Sequence, residues 1–300
     1  MDGMMRASRL FAACAARLPM SPLQLVVVTV ALQHNWQRNV RIGMKTALVL
    51  LAIAMMATQA VAGPWPDGKK VAVALTYDDT LVSQLDIAIP ALDAAGLKGT
   101  FFLIGSKITP EQIARWRSAA AEGHELGNHT IRHACPQANY PPAKKIDTSE
   151  AYDVDTMLAE IRTMNTMLTA IDGKLQHSYA TPCGQHLAGG VDYLPALRAS
   201  GLVRYTRSAD PSERPLDPMD VPAHFFPSNA TGADLIAAVQ DAERKGGMIV
   251  FGFHGVGGDY LSVSAEAHAQ LLAYLKAHSD TIWVAPFSTV MGYAISHSQH

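Results

Sequence analysis

The stretch Val71-Ala-Val-Ala-Leu-Thr-Tyr-Asp-Asp79 decides the fold, and the rest of the chain can be arranged around it. Its apolar and small side chains run without alternation and end at two adjacent carboxylates, Asp78 and Asp79. An uninterrupted run of this length is typical of a strand that is buried on both faces in a parallel sheet. Because successive side chains of a strand point to opposite faces, one carboxylate could hold a cation while the other faces substrate. Two enclosed carboxylates without a partner are unfavourable, so a cation or a shared proton is expected.

Length and composition set wide limits on the class of protein. With 300 residues and 49% hydrophobic side chains, the chain can form one large domain or two small ones. A formal net charge of −2 gives no reason to expect nucleic acid or an anionic membrane surface as a partner. The three cysteines do not make a disulfide-rich scaffold.

Residues 44–62 have the pattern of a secretory signal peptide. The basic Lys45 precedes the apolar run 46–56, and the small-x-small sequence Ala60-Val-Ala62 follows it. The run is short for a bilayer span, and an uncleaved membrane anchor is the alternative. We interpret residues 1–43 as an over-extended start. The catalytic domain is expected over 63–300, exported to the periplasm or secreted, without stable membrane insertion after cleavage.

Predicted strands and helices alternate along the rest of the chain, which indicates an α/β fold with a mostly parallel sheet. Helices are expected over 80–95, 109–122, 157–171, 193–199, 231–245 and 264–278, and further strands over 99–104, 124–127, 178–181, 202–205, 248–253 and 281–285. Thr109, Pro110 and Gln112 give the second helix an N-cap, a first-turn proline and a capping box. Residues 209–227 are expected to be irregular. Because chemistry in such folds gathers where strands end, the residues that follow these strands are the candidates for a site.

Two histidines, His129 and His133, follow the predicted strand 124–127. On a helical turn, residues four apart project from one face, so both imidazoles could reach one cation. With a carboxylate they would form a two-His, one-Asp set with open positions for water and substrate. The chain has twelve histidines, so this spacing also arises by chance. The position after a strand, matched by the two aspartates after another strand, favours a metal site.

Three segments together resemble the polysaccharide deacetylases with a NodB-homology domain, a family of carbohydrate esterases. They are Thr76-Tyr-Asp-Asp79, Gly123-His-Glu-Leu-Gly-Asn128 and His129-Thr-Ile-Arg-His133. The resemblance extends roughly over 71–293. It implies a single domain with a distorted (β/α) barrel of about seven parallel strands, and metal-dependent removal of acetyl groups from a glycan.

The resemblance also implies a role for each motif residue. By position, Asp79, His129 and His133 would bind a divalent metal, usually zinc and in some members cobalt or nickel. Asp78 would be the general base, and His254, after the strand 248–253, would be the general acid. Hydrolysis needs a water activated at neutral pH and a proton donor for the leaving group, and histidine suits the second task. A buried structural role for His254 is the alternative.

One motif departs from the family pattern. Where the family has Arg-x-Pro-aromatic-Gly, this chain has Ala180-Thr-Pro-Cys-Gly184, so both the Arg that holds the catalytic Asp and the aromatic are replaced. An Asp base without its Arg partner must find another cation or have a higher pKa. We expect Arg207 to be the substitute and Asp210 to orient His254. A surface arginine and a turn aspartate are the alternatives.

Four positions near the motifs are expected to contact substrate: Tyr77, Pro182, Cys183 and Gly184. In an oxidising compartment, Cys135 and Cys183 could form a disulfide that joins the metal-binding loop to the third motif. The competing interpretation, a nucleophilic Cys183 beside a histidine, lacks a third group to complete a triad.

The leading hypothesis is an exported, metal-dependent deacetylase for N- or O-acetylated glycans such as peptidoglycan, chitin oligomers, an exopolysaccharide or acetylated xylan. Because Ala180 replaces the motif arginine, a rival hypothesis is a glycan-binding protein that keeps the fold but has lost turnover. A third is hydrolysis of a small non-sugar amide on the same fold, which the complete metal set disfavours.

Overall fold

The computed structural model describes residues 63–139, 148–212 and 214–297. The expected over-extended start (1–43) and the expected signal peptide (44–62) lie outside the described residues, and both stay predictions. Within the described ranges, no helix combines the length and the apolar character that a membrane crossing requires.

The described residues form an α/β domain. Its strands are β1 (Val71–Asp78), β2 (Thr100–Leu103), β3 (Glu125–Asn128), β4 (Tyr179–Ala180), β5 (Leu187–Ala188), β6 (Val191–Asp192), β7 (Thr206–Arg207), β8 (His224–Phe225), β9 (Met248–Phe253) and β10 (Ile282–Val284). Its α-helices are α1 (Ile89–Ala95), α2 (Pro110–Ala121), α3 (Val154–Asp172), α4 (Leu194–Ser200), α5 (Gly232–Lys245), α6 (Ala265–Ala277) and α7 (Phe287–His297). Short helical turns cover Pro66–Gly68, Gln84–Ala88, Gly105–Lys107, Gln137–Asn139, Ser149–Ala151 and Pro182–Gly184.

The central strand of the sheet is β1, as the opening stretch predicts. All of its residues are buried, and it pairs in parallel with β2, β9 and β10. Across the sheet the strands follow the order β7-β4-β3-β2-β1-β9-β8, and every pair in this sheet is parallel. The edge strands of this order are β7 and β8. A parallel bridge pairs Arg207 of β7 with Val221, which lies shortly before β8, and so brings the two edges together. The expected distorted barrel of about seven parallel strands is thus confirmed.

The two faces of the sheet pack against different side chains. The odd-numbered residues of β1, from Val71 to Tyr77, pack with helix residues such as Leu92 and Leu271. The even-numbered Ala72 and Ala74 belong to the other core, together with Phe287 and Val290 of α7. Because side chains alternate along β1, Asp78 lies on the same side of the curled sheet as Ala72 and Ala74, which is its interior. Tyr77 lies on the other side, which α1 and α6 cover.

The capping box at Thr109 is confirmed, because its N–H donates to Gln112 Oε1 at 3.2 Å where α2 begins. The strand expected over 202–205 is wrong: the paired residues are Thr206 and Arg207. The apolar side chains before them, such as Val203, are buried in a core rather than paired in the sheet. The segment 209–227 contains β8, and α7 was not expected at all.

Candidate active site

The carboxyl ends of four strands of the parallel sheet meet at one edge and carry the motif residues there. β1 ends at Asp78, β3 ends directly before His129, β4 ends at Ala180, and β9 ends directly before His254. Because the strands are parallel members of one sheet, their carboxyl ends lie at the same edge.

The backbone turns sharply at Asp79. The φ angles of Asp79 and Thr80 are 83° and 61°, in the left-handed region that non-glycine residues rarely adopt. Asp79 therefore leaves the alternation of the strand, and the expectation that the two carboxylates face opposite sides is wrong. Asp78 Oδ2 and Asp79 Oδ1 lie 3.9 and 3.4 Å from the same atom, His129 Nε2.

The loop that carries His129 and His133 is not a helical turn, contrary to expectation. The φ angles of Thr130 and His133 are 64° and 57°, and side chains accept the backbone N–H groups. Thr130 N–H donates to Asn128 Oδ1, and His133 N–H donates to Thr130 Oγ1, each at 2.8 Å. Glu160 of α3 accepts two further N–H groups of the loop, at 3.1 and 2.9 Å. A helix that follows much later in the sequence thus determines the conformation of the loop.

Three atoms with metal-binding chemistry converge in the site: Asp79 Oδ1, His129 Nε2 and His133 Nε2. The two nitrogens are 3.1 Å apart, and they lie 3.4 and 3.5 Å from the oxygen. Ligand atoms in a tetrahedral zinc site, each ~2.0–2.1 Å from the metal, are about 3.3 Å from one another. Asp79 Oδ1 is buried, and among the described residues it has no hydrogen-bond partner. The three residues therefore fit a divalent cation.

A backbone carbonyl orients His129. Its Nδ1 lies 2.8 Å from the oxygen of Ala180. Since a carbonyl can only accept, Nδ1 carries a proton, and in the neutral imidazole Nε2 has the lone pair that can bind a metal.

Burial and nearby charges shift the pKa values of Asp79, His129 and His133 in opposite directions. Burial raises the pKa of Asp79, but His129, His133 and the Tyr260 hydroxyl together lower it below its usual range. Burial and the charge of His129 lower the pKa of His133 to about 4. Burial lowers the pKa of His129, whereas the charges of Asp78 and Asp79 raise it and prevail. At neutral pH, Asp79 is ionised and His133 is neutral, which are the forms that bind metals.

Arg207 of β7 holds the Asp78 carboxylate. Its Nη2 donates to Asp78 Oδ2 at 2.6 Å, and both side chains are almost fully buried. The guanidinium lies over the rings of Phe102 and Phe225, 5.1 and 5.0 Å from their centroids. Asp78 Oδ1 has no hydrogen-bond partner within the described part of the chain. One carboxylate oxygen is fixed, and the other is free to accept a proton.

The register of the sheet explains how Ala180 is accommodated. β4 and β7 pair in parallel with Ala180 directly opposite Arg207. Side chains of directly paired residues project from the same face, on strands about 4.8 Å apart. An arginine at position 207 therefore reaches the region that an arginine at position 180 would reach. The buried, small Ala180 leaves room for it.

His254 lies beside the Asp79 carboxylate. Its Nε2 is 3.8 Å from Asp79 Oδ2, and its side chain is 21% exposed. The expected contact with Asp210 is wrong. Asp210 is exposed, and its carboxylate accepts the N–H of Ser212 and pairs with Arg214, because these groups lie in its own turn.

Tyr77 does not reach the site, contrary to expectation. It is fully buried on the helix side of β1, where its ring stacks on Phe101 and Phe253. Its hydroxyl bonds to His268 Nε2 of α6 at 2.7 Å. Alternation along the strand is the reason, because Asp78 faces the interior and its neighbour must face the helices.

The third motif forms a turn that is joined to the loop of His129 and His133. Cys183 and Cys135 form a disulfide with their Cα atoms 5.6 Å apart. Cys135 Sγ also lies 3.5 Å from His133 Nδ1. Pro182 is buried, whereas Cys183 is exposed and Gly184 is half-buried. The disulfide leaves no thiol at Cys183, which removes the basis for a nucleophilic cysteine.

The structure adds Tyr260 to the site residues predicted from the sequence. Its hydroxyl donates to Asp79 Oδ2 at 2.6 Å from a loop that follows His254. Burial and the acceptor Asp79 raise the pKa of Tyr260, so the hydroxyl keeps its proton. No motif marks this residue, and the glycines at 255, 257 and 258 were the available sign that the loop is folded tightly against the site.

A sequence model of the polysaccharide deacetylase family matches residues 66–198. The match confirms the resemblance that the aspartate and histidine motifs carry. It includes Asp78, His129 and Pro182, and it ends before Arg207 and His254.

Individual relatives are distant. A gellan lyase from a Bacillus species is 24% identical over 255 residues, an alignment that covers 77% of this chain and 10% of that protein. The chain thus spans about a tenth of the length of that relative.

Two solved structures share the fold. A protein from Mycobacterium smegmatis described as a polysaccharide deacetylase superposes with a TM-score of 0.57 at 20% identity, over 81% of this chain and 96% of that one. A family 4 acetyl xylan esterase from Clostridium thermocellum, in complex with a cobalt ion, superposes with a TM-score of 0.50 at 19% identity, over 74% and 90%.

Proposed function

We propose that this chain, whose residues 66–198 match the polysaccharide deacetylase family, is a metal-dependent hydrolase that removes acetyl groups from acetylated glycans. The observation that carries the proposal is the convergence of Asp79 Oδ1, His129 Nε2 and His133 Nε2 within 3.5 Å of one another. The ligand set suits zinc, and cobalt or nickel are alternatives. When bound there, the cation supplies a Lewis acid that lowers the pKa of a water and polarises a carbonyl.

Asp78 is the proposed general base. Its Oδ2 is fixed by Arg207, so the carboxylate keeps one orientation, and its Oδ1 has no partner among the described residues. The proton of the attacking water is taken up by Oδ1. A base held by a buried ion pair needs no reorganisation at the moment of reaction.

His254 is the proposed general acid. It lies across Asp79 from the other histidines, and its partial exposure leaves it open to a substrate. Its imidazolium would give the proton to the leaving nitrogen of an acetamide, which departs as the amine, or to the leaving alkoxide oxygen of an acetyl ester, which departs as the hydroxyl. Substrates with either linkage are therefore candidates, among them peptidoglycan, chitin oligomers, an exopolysaccharide and acetylated xylan.

Export is part of the proposal. The disulfide between Cys135 and Cys183 supports it, because disulfides persist in oxidising compartments. The glycans named above also lie outside the cytoplasmic membrane.

The rival hypothesis, glycan binding without turnover, was based on the missing arginine at position 180. Arg207 removes that basis, because the Asp78 carboxylate has a buried guanidinium partner after all. We therefore favour the enzyme.

The test is acetate release by the purified protein from a panel of N- and O-acetylated glycans. We expect release with zinc or cobalt, loss of release after chelation and recovery on reloading. Asp78→Asn should abolish release while glycan affinity persists, and Asp155→Asn on the surface of α3 is the matched control. Release that survives thorough chelation, or none from any glycan with metal present, would contradict the proposal.

A further inference from the structure

We propose that Tyr260 has two roles in this site. Its hydroxyl is a positioning group for the Asp79 carboxylate, and its exposed ring is the surface on which a pyranose ring of the substrate packs. The inference rests on the proposed function and assigns the part of the site that contacts the sugar.

The first role follows from the different surroundings of the two oxygens of the Asp79 carboxylate. Tyr260 donates to Oδ2 at 2.6 Å, whereas Oδ1 has no hydrogen-bond partner in the described ranges and faces the two histidines. A carboxylate that is held through one oxygen presents the other in a fixed direction. Hydrogen bonds of this kind orient metal ligands and strengthen metal binding.

The second role follows from the exposure of the ring. Tyr260 is 52% exposed although its hydroxyl is tied to a buried carboxylate, so one part of the ring faces solvent at the mouth of the site. Its centroid lies 6.2 Å from that of His254. Leu261, the next residue in the loop, is exposed as well, and so is Val82, which precedes the Ser83 that holds the loop. An acetyl group that reaches Asp79 and His254 brings its own sugar ring against this surface.

The loop that carries Tyr260, residues 255–263, is hydrogen-bonded to Ser83, which lies a few residues after the two aspartates. Ser83 N–H donates to Asp259 Oδ2 at 2.8 Å, and Val256 N–H donates to Ser83 Oγ at 3.2 Å. Asp259 and Leu261, on either side of Tyr260, have φ angles of 63° and 48°. Strained residues of this kind persist where surrounding contacts hold them, and they cluster at functional sites. The ring is thus presented in a set position.

Pyranose rings suit this surface better than the other substrates considered. The face of a pyranose carries several C–H groups, which pack on the electron-rich face of an aromatic ring. A small acyclic amide would leave the ring and the neighbouring apolar side chains in water. The proposal therefore commits to a glycan occupant, and the small amide becomes an outcome of the test.

The experiment separates the hydroxyl from the ring. Tyr260→Phe keeps the ring, and we expect zinc affinity of the metal-free protein, measured by equilibrium dialysis, to fall about 10-fold or more while KM for the glycan stays unchanged. Tyr260→Ala loses both, and we expect KM to rise as well. Tyr274→Phe, on the outer helix α6, is the control for the loss of a phenol hydroxyl and should change neither quantity.

The two roles of Tyr260 are tested separately. Unchanged zinc affinity in Tyr260→Phe overturns the positioning role, and unchanged KM in Tyr260→Ala overturns the sugar contact. A KM effect on a small acyclic acetamide equal to that on the glycan also overturns the sugar contact. If the unmodified protein binds zinc but releases no acetate, the proposed function fails, whereas the affinity comparison still decides the positioning role.

Discussion

Replacing Arg207 with alanine tests how the proposed base is held. The substitution leaves the Asp78 carboxylate, whose side chain is 4% exposed, without its cation. Removing one partner of a buried ion pair typically lowers stability by ~3–5 kcal/mol. The carboxylate also loses its orientation, and a displacement of about 1 Å in a reacting group can lower the rate ~100-fold. We therefore expect Arg207→Ala to unfold at lower urea concentration and to lose about two orders of magnitude in kcat.

The register of the sheet provides the matched control. Because Ala180 pairs directly with Arg207, the double variant Ala180→Arg/Arg207→Ala moves the guanidinium to the neighbouring strand on the same face. We expect it to recover much of the lost kcat and stability. The assays are acetate release with saturating metal and urea unfolding of the metal-free protein. Wild-type kcat and stability in Arg207→Ala would refute the reasoning, and so would a double variant no better than the single one.

Three further changes test other parts of the account. His254→Ala should lower kcat by ~10²–10⁴ while zinc affinity by dialysis is unchanged, because His254 lies outside the ligand trio; a loss of zinc binding would contradict its role as acid. Burial lowers the pKa of His268 to about 4, whereas in the unfolded chain it is ~6.5. The unfolded state therefore binds a proton first as the pH falls, and the free energy of unfolding decreases between pH ~6.5 and 4 by up to about 3 kcal/mol. His268→Gln should show a smaller loss between pH 7.5 and 4.5 in urea unfolding, and an equal loss would count against this assignment. Replacing Cys135 and Cys183 with serine opens a loop of 48 residues and should lower stability by about 4 kcal/mol. The urea midpoint should shift under oxidising conditions, and the difference from the unmodified protein should disappear when both are reduced.

Elements that depend on neighbouring residues could be predicted from the sequence. β1 is an uninterrupted apolar run, and the capping box at Thr109 depends on residues three apart. Arg207 was expected as the substitute for the lost arginine, and the structure brings it to Asp78. Arg207 reaches Asp78 because its strand pairs with that of Ala180. The sequence does not show which strands are neighbours, so this pairing could not be predicted from it.

The errors have physical causes. The loop of His129 and His133 has the spacing of a helical turn, but Glu160 and Asn128 accept its N–H groups and give it another shape. Tyr77 was grouped with its motif, although alternation along β1 already separates it from Asp78. Tyr260 has no sequence signal of its own, because its contact with Asp79 depends on a loop fixed to Ser83.

The most direct test is anomalous diffraction at the zinc edge from crystals of the zinc-loaded protein. We expect one strong peak ~2.0–2.2 Å from each of Asp79 Oδ1, His129 Nε2 and His133 Nε2, and we expect it to be lost in His133→Ala. A peak elsewhere, or none at full zinc loading, would contradict it.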